Sequence, residues 1–170
     1  MTKRPPIAAR WWVALVLPVA LAVAGCSAPL PGVSFYGDRH SVASTPSLWC
    51  APDEDVTAVQ CRVDTGDSQA PRLRLSRGAA VSVNVPAGVA TAPWVVLFQY
   101  KDAKGAVQEG RGPLFGPGTR QAYILRPPSA VDQLTRVEVQ SGLTPVSTET
   151  GTGVDYAATR TWVLLIDPAT

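Results

Sequence analysis

The chain has 170 residues, 46% of them hydrophobic, with 15 Lys and Arg against 13 Asp and Glu, three cysteines and a single histidine. A net charge of +2 supplies no basic field for a nucleic acid. One histidine leaves nothing from which to build a His-rich metal centre.

The first element is a leader. Lys3, Arg4 and Arg10 form a positive head, and Trp11 to Ala24 then run without a charge, interrupted by Pro18. A membrane-crossing helix needs about 20 apolar residues, so this shorter run reads as a secretory signal. The small residues of "VAGC" (23–26) admit the chain to a peptidase cleft, and Cys26 is the strong nucleophile beside them. "VAGC" resembles a bacterial lipobox. The resemblance implies diacylglyceryl transfer to the Cys26 sulfur, cleavage after Gly25, and export to the outer face of the cytoplasmic membrane. Two acyl chains hold a protein to a bilayer stably, whereas one binds marginally. Removing residues 1–25 leaves 145 residues and lowers the net charge from +2 to −1. The basic balance therefore belongs to the leader. The expected organisation is residues 1–25 as signal, 26–32 as lipidated cysteine and short Pro-rich tether, and 33–170 as one domain.

From Val33 the dominant period is two, the mark of strands. "YGDRH" (36–40) reads as a turn that places His40 at the surface. Cys50 and Cys61 remain as an even pair in an oxidising compartment and are expected to form a structural disulfide. Alternation in "VTAVQCRV" (56–63) predicts that Val59, Cys61 and Val63 share an inward face. The intervening "PDEDV" (52–56), with Asp64 and Asp67 near it, lacks the alternate spacing and glycine of a calcium loop. It reads as a solvated hairpin tip, and no metal is expected.

"RLRLSRGAAVSVNVP" (72–86) alternates Leu73 and Leu75 with Arg72 and Arg74, turns at Arg77-Gly78, then alternates Val81, Val83 and Val85 with Ser82 and Asn84. Arg72, Arg74 and Arg77 form a candidate face for an anionic contact; solvation and edge protection are the plainer reading. "PWVVLFQYKDAKGAVQEGR" (93–111) predicts a hairpin that turns at Asp102 to Gly105. "EGRGPLFGPGTR" (109–120) holds Leu114 and Phe115 between Gly-Pro breaks, with Arg111 and Arg120 flanking. That loop is a candidate partner contact, unless its apolar tip folds back as a plug.

Further strands are expected at 120–126, 134–140 and 161–167. "WVVLFQY" and "TWVLLID" are apolar on both faces and should be central. "SGLTPVSTETGTGVDYAAT" (141–159) is Thr- and Gly-rich and reads as a long, mobile connection. Short strands at 8–12-residue spacing predict an all-β, immunoglobulin-like β-sandwich of eight or nine strands.

The stretch 92–128, then "DQLTRVEVQ" (132–140) and the closing "TWVLLID", with the lipobox and cysteine pair ahead, is similar to an actinobacterial lipoprotein family catalogued as domain of unknown function 2771. The resemblance implies a secreted, lipid-anchored envelope protein of high-G+C Gram-positive bacteria. It carries no activity and no catalytic residues. The chain has no Gly-x-Ser-x-Gly elbow, Ser-x-x-Lys pair or His-Glu-x-x-His motif. An enzyme is not expected, nor is a cofactor.

The leading functional reading is a monomeric, lipid-anchored binding module, held to the membrane through Cys26 and docking onto another envelope protein or a wall polymer. The alternative is a carrier or sensor of an apolar small molecule or lipid, in an inter-sheet pocket that Trp49, Trp94 and Trp162 would line. An enzyme with a carboxylate cleft ranks third.

Overall fold

Strands β1 (Val33–Gly37) and β2 (His40–Ser44) open the fold as a hairpin. Its two turn residues, Asp38 and Arg39, both have positive φ (45° and 66°). That conformation matches the twist of the strands it joins. The structure is a computed structural model that describes residues 29–52, 59–147 and 154–169. Next come β3 (Leu48–Pro52), β4 (Val59–Asp64), β5 (Arg72–Leu75), β6 (Val81–Asn84) and the one-turn helix α1 (Ala87–Ala90). Then follow β7 (Trp94–Lys101), β8 (Val107–Arg111), β9 (Ala122–Leu125), β10 (Gln133–Ser147) and β11 (Val154–Pro168).

Two sheets pack face to face as an all-β sandwich. The smaller runs β2-β1-β6-β9 and the larger β4-β3-β11-β10-β7-β8. β5 joins the larger sheet in parallel with β11, pairing Leu165 to Arg72 through Pro168 to Leu75. β3 pairs with β11 further towards its start, at Arg160 and Thr161. Both short strands therefore share one edge of β11.

The described residues contain eleven strands, more than the eight or nine expected. The largest correction is at 141–159. β10 extends through it to Ser147 and β11 begins at Val154, paired from Leu143↔Ala158 to Ser147↔Val154; residues 148–153 lie outside the described residues. Two-residue periodicity is most strongly imposed where one face is buried. In this arm each strand satisfies the other's backbone without an opposing layer, so the sequence lacks the alternation of a strand.

The core forms where alternation is strongest. Leu73 and Leu75, Val81 and Val83, and Val33 and Phe35 are buried between the sheets, while Arg72 and Arg74 point outward. Trp94, Val95 and Val96 are buried consecutively, as are Trp162, Val163 and Leu164. Both runs lie in interior strands, as the two-faced apolar sequences required. The indoles of Trp94 and Trp162 are fully buried, and each N–H finds a carbonyl, at Arg120 (3.1 Å) and Pro31 (2.9 Å). A buried Trp without such a partner would forfeit a hydrogen bond.

Cys50 and Cys61 face each other across β3 and β4 and are joined as a disulfide. Cys50 is buried, but Cys61 is exposed and Val63 half-buried, contrary to the inward face expected of these two; the side chain of Val59 lies outside the described residues. β4 is the edge of the larger sheet, where alternation persists without an opposing layer to bury it. Registers place the β3–β4 and β10–β11 arms at the end where Pro31 enters, because Leu48 pairs with Thr161 and Ser141 with Trp94. At the opposite end, the Gly78 N–H donates to the Asp132 carbonyl (2.9 Å). Gly78 has φ of +70°, and a Cβ there would collide with the Ala130 backbone.

Candidate functional site

Among the described residues β2 pairs only with β1, and β5 only with β11. Their free edges lie side by side along one seam of the sandwich. At one end of the seam the Ser76 N–H donates to Asp38 Oδ2 (2.6 Å). At the other, Ser44 Oγ donates to the Val163 carbonyl (2.9 Å). Between these two ties is a slot of about 360 Å³, lined by His40, Ser41 and Val42 from β2 and by Arg72, Leu73 and Arg74 from β5.

The backbone of β5 gives the slot its polarity. Leu165 N–H donates to the Pro71 carbonyl (3.0 Å) and Ala169 N–H to the Leu75 carbonyl (3.1 Å). Odd-numbered peptide groups thus face β11, and those of Arg72 and Arg74 face the free edge, because a parallel ladder alternates sides. The side chains add charge at the rim. Arg72 is ion-paired with Asp167 (2.6 Å). Arg74 is exposed, with no ion pair or hydrogen bond among the described residues. His40 Nδ1 lies 2.8 Å from the Asp38 carbonyl oxygen. Hydrogen bonds from Ser76 hold the Asp38 carboxyl below its ordinary value, with nearby His40 and Arg39 adding to the effect. That carboxylate, ionised and held by Ser76, sits beside His40 and Arg39, whereas Arg74 at the other side of the rim has no such counter-ion.

The other predicted contact residues are divided differently. Phe115 is core: only 8% exposed, its ring centroid 4.4 Å from that of Trp94 and 5.4 Å from that of Tyr123. Its backbone exchanges two hydrogen bonds with Trp94 (2.9 and 3.1 Å). Phe115 is therefore the plug, since an exposed aromatic ring would forgo that burial. Leu114 stays outside at 52% exposure, Arg111 is exposed on β8, and the Arg120 guanidinium lies 6.0 Å from the Phe115 ring. Arg77 reaches away from its expected companions to the Val131 carbonyl (3.1 Å). Only Arg72 and Arg74 remain together.

Trp94 and Trp162 fill the core, and half-buried Trp49 stands edge-on to Trp162 with the Arg160 guanidinium 4.6 Å from its ring. The inter-sheet space assigned to them is occupied by their own side chains. Cys26 and most of the acidic stretch 52–56 lie outside the described residues. Among the described residues no group of three His, Cys, Asp or Glu is placed to hold a metal.

Two features carried no usable sequence signal. His40, Ser41 and Val42 join Arg72, Leu73 and Arg74 only through the seam, about thirty residues apart in the chain. The second is a polar cluster on the outer face of the larger sheet. Arg136 makes two hydrogen bonds to Asp67 (3.0 and 2.9 Å) and an ion pair with Glu138 (2.6 Å), which in turn accepts from Gln140 (2.8 Å). Alternation in "LTRVEVQ" puts Arg136, Glu138 and Gln140 on one face. Asp67, from the β4–β5 loop, is supplied by tertiary structure. Its hydrogen bond to Arg136 holds the Asp67 carboxyl below its usual value.

A family model described as a protein of unknown function, DUF2771, matches residues 27–167, and the chain belongs to that family. No curated protein and no solved structure matches it.

Proposed function

We propose that this member of the family is an exported, lipid-anchored envelope protein whose β-sandwich is a binding module, with the β2–β5 slot as its ligand site. The observation that carries the binding role is the slot itself, a recess bounded by a hydrogen bond at each end, apolar within and flanked by Arg72 and Arg74. A seam left open for no purpose would be an unpaired edge, which soluble sheets normally blunt or cover.

The anchored arrangement has a geometric rationale. The Trp162 indole holds the Pro31 carbonyl, so the chain enters the sandwich at a defined end. Five residue steps separate Cys26 from Pro31, a span of at most about 18 Å. A lipid on Cys26 would keep that end near the bilayer, while the slot opens on the far half of the domain, beside Gly37 and Ser76. No helix among the described residues is long and apolar enough to cross a membrane. Cells fed a radiolabelled fatty acid should label the wild-type protein, and Cys26→Ala should abolish the label. Persistent labelling of Cys26→Ala would overturn the anchoring.

A further inference from the structure

We infer that the β2–β5 slot takes a small amphiphilic anion, its apolar body against Val42 and Leu73 and its carboxylate or phosphate at Arg74 and His40. This deepens the binding-module reading and rests on it, but does not depend on the lipid at Cys26.

Size comes first. The slot runs from the Asp38–Ser76 tie to the Ser44–Val163 tie. From the start of β2 to Ser44 is four residue steps, about 13 Å of strand. A hydrogen bond bounds the seam at each end, which favours a short occupant over a long chain. A volume of about 360 Å³ lies at the small end of the range found for ligand pockets.

The lining sets the chemistry. Val42 and Leu73 offer apolar walls, and Leu73 is buried to 3% exposure at the floor. Arg72 has Asp167 as its counter-ion, whereas Arg74 has no partner among the described residues. Asp38 is held by the Ser76 N–H. An anion at the rim meets the unspent Arg74 guanidinium first, with the edge N–H groups of Arg72 and Arg74 beside it and the His40 ring, which the Asp38 carboxylate also faces, across the slot. Guanidinium binds carboxylate and phosphate in the same forked geometry, so the chemistry admits either head group. Edge protection accounts for arginines on an outer face but not for a recess with apolar walls behind them.

The test uses the full chain in phosphatidylcholine vesicles and an octanoate probe carrying a diazirine, photolysed and mapped by peptide mass analysis. Cross-links are expected within 40–42 and 72–74. Excess octanoate or octyl phosphate should displace them, and octanol should not; whichever anion displaces better assigns the head group. Arg74→Ala should weaken labelling about tenfold, the scale of a lost charged hydrogen bond, and Arg74→Lys should restore most of it. Arg74 is exposed, so both variants should keep the wild-type melting temperature. Scattered cross-links, displacement by octanol as effective as by octanoate, or indifference to Arg74→Ala would overturn the proposal. Displacement by an acidic extended peptide alone would make the seam a strand-docking edge instead. Slot labelling can fail while fatty acid still enters at Cys26, which keeps this inference separable from the anchoring.

Discussion

Replacing Phe115 by Ala tests whether the 109–120 loop is plug or contact surface. Its ring is 8% exposed and packs between Trp94 and Tyr123, with centroids 4.4 and 5.4 Å away. Truncating a buried Phe costs about 3–5 kcal/mol, through lost transfer energy and the cavity left behind. Unfolding entropy for roughly 140 residues is about 0.3 kcal/mol/K, so the melting temperature should fall by about 10–17 °C. Leu114→Ala is the internal control, since Leu114 is 52% exposed and its loss should cost less than about 0.5 kcal/mol. The assay is thermal denaturation followed by circular dichroism under oxidising conditions. A fall of less than about 2 °C for Phe115→Ala, or equal falls for both variants, would refute the placement of Phe115 in the core.

Mass analysis of the non-reduced protein should show Cys50 and Cys61 without free thiols, and Cys61→Ser should lower stability by about 3 kcal/mol in the chain-entropy account of short loops. An unchanged denaturation midpoint for Cys61→Ser would remove the structural role. The Asp67 carboxyl is held low by Arg136 in the folded state, so the unfolded chain binds the proton first as pH falls. The stability it contributes is complete above the ordinary carboxylate range and is lost as pH drops through its lowered value, below about pH 4. Urea midpoints of Asp67→Asn should therefore fall short of wild type at neutral pH and converge on it in acid; a gap independent of pH would sink that account.

Much of this architecture was legible locally. Leu73 and Leu75 against Arg72 and Arg74 declared a strand with one buried face, and the structure buries that face. The unbroken apolar runs at Trp94–Val96 and Trp162–Leu164 announced interior strands. An even cysteine pair across a short acidic loop announced a hairpin with a disulfide. In each case a residue's neighbours in sequence decide which side of the backbone it occupies, and periodicity records that choice.

Register and layer closure were decided only in three dimensions. Alternation placed Cys61 with Val63 on one face but could not say that no second layer covers them. Phe115 between two Gly-Pro breaks was equally compatible with surface and core until its backbone paired with Trp94. The 141–159 stretch carried no period, yet residues 141–147 and 154–159 are strands because each satisfies the other's peptide groups. The slot is the furthest from sequence: it exists because two strands at facing edges of different sheets are flanked by the Asp38–Ser76 and Ser44–Val163 hydrogen bonds and left unpaired between. Sequence sets which side chains point inward. Which surfaces then find a partner, and which stay open, depends on how the sheets meet, because the burial energy belongs to pairs of surfaces and not to either strand alone.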